Sequence, residues 1–178
     1  MYVSHVSEDG RIERVVDHLR EVAEMAAEFA RPFGAEKWAY LAGMAHDIGK
    51  YSAEFQNRIL REGHKVDHST AGAYELYEQA GWLPLSFCVA GHHGGLPDGG
   101  SLAELEGPTL IGRLRKAEHH ELPDYRAYAR EIELPKAESV VFDNMTHFDP
   151  FSLAFLTRMV FSCLVDADFL STECFMAG

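Results

Sequence analysis

Ala45-His46-Asp47-Ile48-Gly49-Lys50 is the stretch on which the reading of this 178-residue chain turns. It closes a predicted helix from Ala35 to His46 whose apolar face is Trp38, Leu41, Ala42 and Ala45, with Gly49 as a natural stop. Adjacent side chains on a regular helix point about 100° apart, so His46 and Asp47 cannot easily chelate one ion through both side chains. At a helix end the backbone leaves that geometry and the constraint loosens. Alternatively the two residues serve two different ions, with the carboxylate of Asp47 bridging them.

Working outward, residues 11–31 carry Ile12, Val15, Val16, Leu19, Val22, Ala23, Ala26 and Phe29 close to an i, i+3, i+4, i+7 stripe, which predicts a helix with His18 beside the stripe. A third helix is expected over about Ser52–Arg61, capped by Ser52, with Phe55, Ile59 and Leu60 inward. Asp67 or Ser69 caps a fourth containing Ala73, Tyr74 and Tyr77. Pro84 suits the first turn of a fifth, which ends near His92-His93 at Gly94-Gly95. The Gly- and Pro-rich run from Leu96 to Pro108 reads as a loop or lid. Residues 109–131 return to a helical pattern, and a last helix covers about Phe151–Leu170. Residues 132–150 stay open, since Val140-Val141-Phe142 suits a short strand or a buried loop. Without repeats, low-complexity tracts or strand alternation of useful length, the expectation is an all-α helical bundle forming one domain over residues 1–178.

Composition narrows the function. A net charge of -12 argues against a protein that binds nucleic acid through a broad basic surface. It leaves nucleic acid open as a substrate, because bound divalent ions invert the local field. Arg158, Asp166 and Asp168 interrupt the longest apolar stretch, so it is expected to be a buried helix rather than a membrane span. The N-terminus has no basic stretch followed by an apolar run, and no secretory leader is expected. Cys88, Cys163 and Cys174 lack metal-type spacing. Their odd number in apolar surroundings predicts buried, reduced thiols and a cytoplasmic protein.

Ten histidines, several of them paired, prompt the search for a metal site. Ligation needs neutral imidazoles and ionised carboxylates on rigid elements. The candidates are His18, His46-Asp47, His68, His92-His93 and an acidic residue of the last helix, Asp166 or Asp168. Singly each has a plainer explanation: His18 as a satisfied core residue, Asp168 as the partner of Arg158. Their weight comes from falling on five helices that can pack together. His5, His64, His119, His120 and His147 lack apolar helical context or flanking glycines and read as surface or loop residues.

The Ala45–Lys50 segment resembles the signature of the HD superfamily of metal-dependent phosphohydrolases, whose order of His, His-Asp and Asp is matched by His18, His46-Asp47 and Asp168. Asp67-His68-Ser69 and Ala90-Gly91-His92-His93-Gly94 make the chain similar to the HD nuclease domain of the CRISPR-associated helicase-nuclease of type I systems. That resemblance implies a two-metal nuclease acting on single-stranded DNA, with His18, His46, Asp47 and Asp168 on one ion and Asp47, His68, His92 and His93 on the other. Lys50 would contact a phosphate oxygen; its plainer role is a helix C-terminal cation. Mixed His/carboxylate ligation favours Mn, Fe, Co or Ni over Mg. Implied partners are a superfamily 2-type helicase and an RNA-guided surveillance complex. With no Gly-x-x-x-x-Gly-Lys-Ser/Thr loop here, the helicase is expected on a separate polypeptide or on another part of a longer one.

Two other readings compete. One is an HD-type phosphodiesterase acting on a small or cyclic nucleotide, although Gly94-Gly95-Leu96-Pro97 lacks the Gly-Tyr-Pro of the HD-GYP group. The other is a non-enzymatic helical module with buried histidines or a structural metal. To meet the acidic net charge, DNA contacts are assigned to Arg113, Arg115, Lys116 and Arg126.

Overall fold

The computed structural model describes residues 1–61, 64–80, 83–119, 122–135 and 149–178. The undecided Val140-Val141-Phe142 and the two histidines His120 and His147 lie outside them. Among the described residues, seven α-helices follow a short β-hairpin: β1 Val3–Val6, β2 Ile12–Arg14, α1 Val15–Ala30, α2 Glu36–Ala45, α3 Ala53–Arg61, α4 Ser69–Ala80, α5 Leu83–Gly91, α6 Leu110–Glu118 and α7 Pro150–Ala177. The fold is all-α, with the hairpin added to the expected bundle.

The hairpin corrects two expectations. Residues 12–14 are strand rather than the first turn of a helix, and His5, expected at the surface, stands directly opposite Glu13 across the strand pair. The Asp9-Gly10 turn, with Gly10 at φ 85°, was a legible hairpin signal between Val3–Val6 and Ile12. β1 is not left as a free edge. The Gln56 carboxamide of α3 accepts from the Val3 N–H and donates to the Val3 and Lys50 carbonyls at 2.8–2.9 Å, in the manner of a neighbouring strand.

The core is one cluster in which α1 packs on α2 and α7, and α5 packs on α4 and α7. The buried face of α1 is Val15, Val16, Leu19, Val22, Ala23 and Ala26, and His18 lies on it, fully buried. Ser52 caps α3, accepting at Oγ from the Phe55 N–H, and Asp67 caps α4 by accepting from the Thr70 N–H. The helical pattern expected over 109–131 is divided between α6 and a short 3-10 turn over Arg126–Arg130. Tyr125 and Tyr128 donate from there to Glu75 of α4. α7 runs well past Leu170, so Asp168 sits in mid-helix. Cys88 and Cys163 are buried thiols, whereas Cys174 is exposed, contrary to expectation; none is paired. No helix among the described residues is long and apolar enough to cross a membrane.

Two glycines bring the backbones carrying the site together. A Cβ at Gly49 would collide with the backbone of His68, and one at Gly72 would collide with the Ala45 carbonyl. Both obstacles are main chain and cannot rotate away. Gly72→Ala is therefore expected to lower the unfolding free energy by about 1–3 kcal/mol or more. Urea denaturation measures this, and an unchanged midpoint would contradict the close approach.

Candidate metal centre

Helix ends build most of the site. α2 stops at Ala45 and α5 at Gly91, which leaves His46 and His92 in the same position, one residue beyond a helix. Each donates its Nδ1–H to the carbonyl three residues back, His46 to Gly43 and His92 to Val89, both at 2.7 Å. These last-turn carbonyls have no intrahelical partner, so the helix terminus itself orients the ring. His68 likewise donates from Nδ1 to the Val66 carbonyl, at 3.2 Å. With Nδ1 engaged, each ring turns Nε2 toward a common centre.

That centre is Asp47, which the site buries completely. Its two oxygens face different neighbours. Oδ2 lies 3.6 Å from His18 Nε2 and 3.4 Å from His46 Nε2, and both imidazoles also approach Asp168 Oδ1, at 3.2 and 3.5 Å. Oδ1 lies 3.3 Å from His68 Nε2 and 3.4 Å from His92 Nε2. His93, the most exposed of the group, brings Nε2 to 2.7 Å from His68 Nε2. All seven sequence-predicted metal ligands thus meet in two clusters, His18, His46, Asp47 and Asp168, and Asp47, His68, His92 and His93. Within each, one donor atom per residue lies within 4.8 Å of the others. Asp166, the competing acidic residue, is exposed on the other side of α7 beside Phe29.

The donor set fits a divalent cation. Among the described residues, eight buried side-chain N or O atoms make no hydrogen bond of ordinary geometry, and six of these belong to His18, His46, Asp47 and His92, although Lys50 stands in ion-pair contact with Asp47 Oδ2 and Glu13 lies 3.4 Å from His18 Nδ1. Such concentration in one place requires an explanation that ordinary packing does not supply. Without an ion, protons hold the cluster together. Burial works against charge on His18, but Asp168, Asp47 and Glu13 outweigh it and hold its pKa at about 10. Burial likewise opposes charge on His46, but Asp47 and Asp168 hold it at about 9. Burial would push Asp47 up, yet Lys50, His46 and His68 keep it well below the usual carboxylate range. Burial and the neighbouring His92 bring His93 down to about 4, so its ring is neutral and ready to ligate.

Lys50 is buried, contrary to its expected role at a phosphate. Its Nζ lies 2.6 Å from Asp47 Oδ2, 3.1 Å from Ser4 Oγ and 3.3 Å from His5 Nε2. An ammonium has three N–H groups, and three acceptors surround this one. Arg113 is similarly occupied: its guanidinium donates to Thr70 Oγ1, the Ala90 carbonyl, Asp67 and Ser69 Oγ, knotting the start of α4 to the end of α5. Arg115 pairs with Glu118 at the surface. Lys50, Arg58 and Lys65 line one depression beside the site, and Lys65 and Arg113 line another.

A His-Asp pair at a helix end, flanked by an upstream histidine and a downstream aspartate on helices of one bundle, defines an HD-type centre. The HD domain family model matches residues 15–135, and the chain belongs to that family of metal-dependent phosphohydrolases. The matched segment holds six of the seven candidate ligands, Asp168 lying beyond it. A search of curated proteins returns no match.

Because the metal-free imidazoles carry protons that a cation must displace, affinity for a divalent ion is expected to rise with pH between 6 and 8. The gain is roughly tenfold per pH unit for each proton released. Calorimetric titration with Mn or Co in two buffers of different ionisation enthalpy counts those protons; zero release would rule out ligation by His18 and His46.

Proposed function

We propose that this protein is a nuclease that hydrolyses phosphodiester bonds of single-stranded DNA through two divalent metal ions. The observation that carries this reading is the pair of ligand clusters that share the buried Asp47, one on each of its oxygens, with ligands of the second cluster lining the adjoining surface depressions. His18, His46, Asp47 and Asp168 would hold one ion and Asp47, His68, His92 and His93 the other. Ions of Mn, Fe, Co or Ni type held by these residues would supply Lewis-acid polarisation of a phosphodiester and a water of lowered pKa.

The chain's own residues do the rest. Lys50 keeps the Asp47 carboxylate in place and ionised, and the carbonyls behind His46, His68 and His92 fix ring orientation. Three depressions of about 790, 510 and 440 Å³ adjoin at His93, which lines all of them. An extended strand can cross such a surface, whereas a small nucleotide is better served by a closed pocket. Arg58 and Lys65 flank the middle depression and supply phosphate contacts in a chain of net charge -12.

In this reading the DNA is delivered by a superfamily 2-type helicase, fused or separate, working with an RNA-guided surveillance complex of the type I CRISPR kind. The activity is cytoplasmic, in keeping with three unpaired thiols.

Incubating the metal-free chain with Mn, Co or Ni and labelled single-stranded DNA, beside a panel of nucleotides that includes cyclic dinucleotides, tests the proposal. DNA cleavage is expected, reduced more than about 100-fold in Asp47→Asn, beyond what loss of a supporting residue costs. Hydrolysis of a cyclic dinucleotide with DNA left intact would replace the nuclease with a small-nucleotide phosphodiesterase. Arg58→Glu and Lys65→Glu should each raise KM and flatten its salt dependence by about 0.7 in log-log slope per lost phosphate contact.

A further inference from the structure

Three of the four imidazoles that point Nε2 at Asp47 are oriented by main-chain carbonyls. The fourth, His18, is not. It lies in the first turns of α1, where carbonyls are consumed by the helix, and its Nδ1 faces the Glu13 carboxylate at 3.4 Å. Glu13 belongs to β2, outside the segment matched by the family model. It is buried, and the same Oε2 accepts from the Nδ1–H of its cross-strand partner His5, at 2.6 Å. The other nitrogen of His5, with Ser4 Oγ beside it, faces the Lys50 ammonium that is paired with Asp47. Two lines of contact therefore leave one hairpin carboxylate. One runs directly to His18, and the other runs through His5 and Lys50 to Asp47.

We propose that the β1–β2 hairpin is a working part of the metal centre, with Glu13 as the positioning residue that holds His18 in the tautomer and ring orientation needed for ligation. His5, Ser4 and Lys50 extend the same support to Asp47. A metal-ligating histidine is ordinarily fixed by an acceptor at its second nitrogen, and Glu13 Oε2, 3.4 Å from His18 Nδ1, is the carboxylate placed to take that role with a small approach. His5, Glu13 and His18 also have the makings of a third ion site, with donor atoms within 4.8 Å. The geometry favours support over ligation. A 2.6 Å N–O separation is a hydrogen bond, and the Lys50 ammonium, 3.3 Å from the free nitrogen of His5, repels a cation.

The inference rests on the metal-centre reading, and its test separates the two. Co(II) is titrated into the metal-free full chain and into Glu13→Gln, with visible absorption and calorimetry as readouts and no nucleic acid present. The glutamine keeps the shape of Glu13 but turns an amide donor toward one of the two imidazoles. Two binding steps are expected for the wild type. In Glu13→Gln one step should weaken about 10- to 100-fold and the other clearly less, because His18 loses its direct support whereas Asp47, common to both clusters, is reached only through His5 and Lys50. Equal weakening of both steps would assign Glu13 a general role in folding and overturn the proposal, as would no weakening. Loss of a third equivalent of Co(II) would replace it with a separate ion site. A wild type that binds no Co(II) would instead overturn the metal-centre reading itself. Should Glu13→Gln fail to fold, long-range 15N–1H correlation spectra of the Zn-loaded wild type decide the point. His18 is expected to be protonated at Nδ1, and a bare Nδ1 contradicts the role given to Glu13.

Discussion

A carboxylate sealed from water among four imidazoles is the constraint from which the rest of this structure follows. Asp47 is ionised and buried, and burying a charge is costly unless its surroundings replace the lost water. Lys50 supplies one counter-charge, and His18 and His46 supply protonated rings in the absence of a cation. The fold is organised to bring those groups to one point. α1 presents His18, the end of α2 presents His46 and Asp47, the start of α4 presents His68, the end of α5 presents the His92-His93 pair, and α7 presents Asp168. Close main-chain approaches at Gly49 and Gly72 allow the convergence.

Much of this was legible in the sequence. The helical stripes located α1 through α5 and the start of α7 to within a few residues, because most have an apolar face and a residue that starts or stops them, such as Ser52, Asp67 or Pro84; the end of α7 lies seven residues beyond the expected Leu170. The seven candidate ligands were legible because histidines and aspartates stand at helix ends or on apolar faces, where no ordinary packing role calls for them. Residue type and spacing could not say which oxygen of Asp47 faces which histidine.

What was missed has physical causes. The hairpin has only seven strand residues, too few for alternation to stand out, and the apolar positions Ile12, Val15 and Val16 ran into the stripe of α1. His5 was read as a surface residue for the same reason, since its cross-strand partner lies eight positions away and the Asp9-Gly10 turn between them was passed over. The roles of Lys50 and Arg113 were missed differently. A cation in sequence looks available for phosphate, and only tertiary contacts reveal that Asp47, Ser4 and His5, or Thr70, Ala90 and Ser69, have already claimed its protons.

The matched placement of His46 and His92 one residue past a helix has a consequence for how this chain can vary. Each ring takes its bearing from a carbonyl three positions back, so orientation is counted in residues from the last turn. Adding or deleting one residue between Gly43 and Asp47, or between Val89 and His93, would rotate the following side chain by about 100°. The ring would then swing out of the cluster even with every residue type retained. Changes in chain length should therefore accumulate in the stretches that carry no ligand, such as 96–108, and spare these two short intervals entirely.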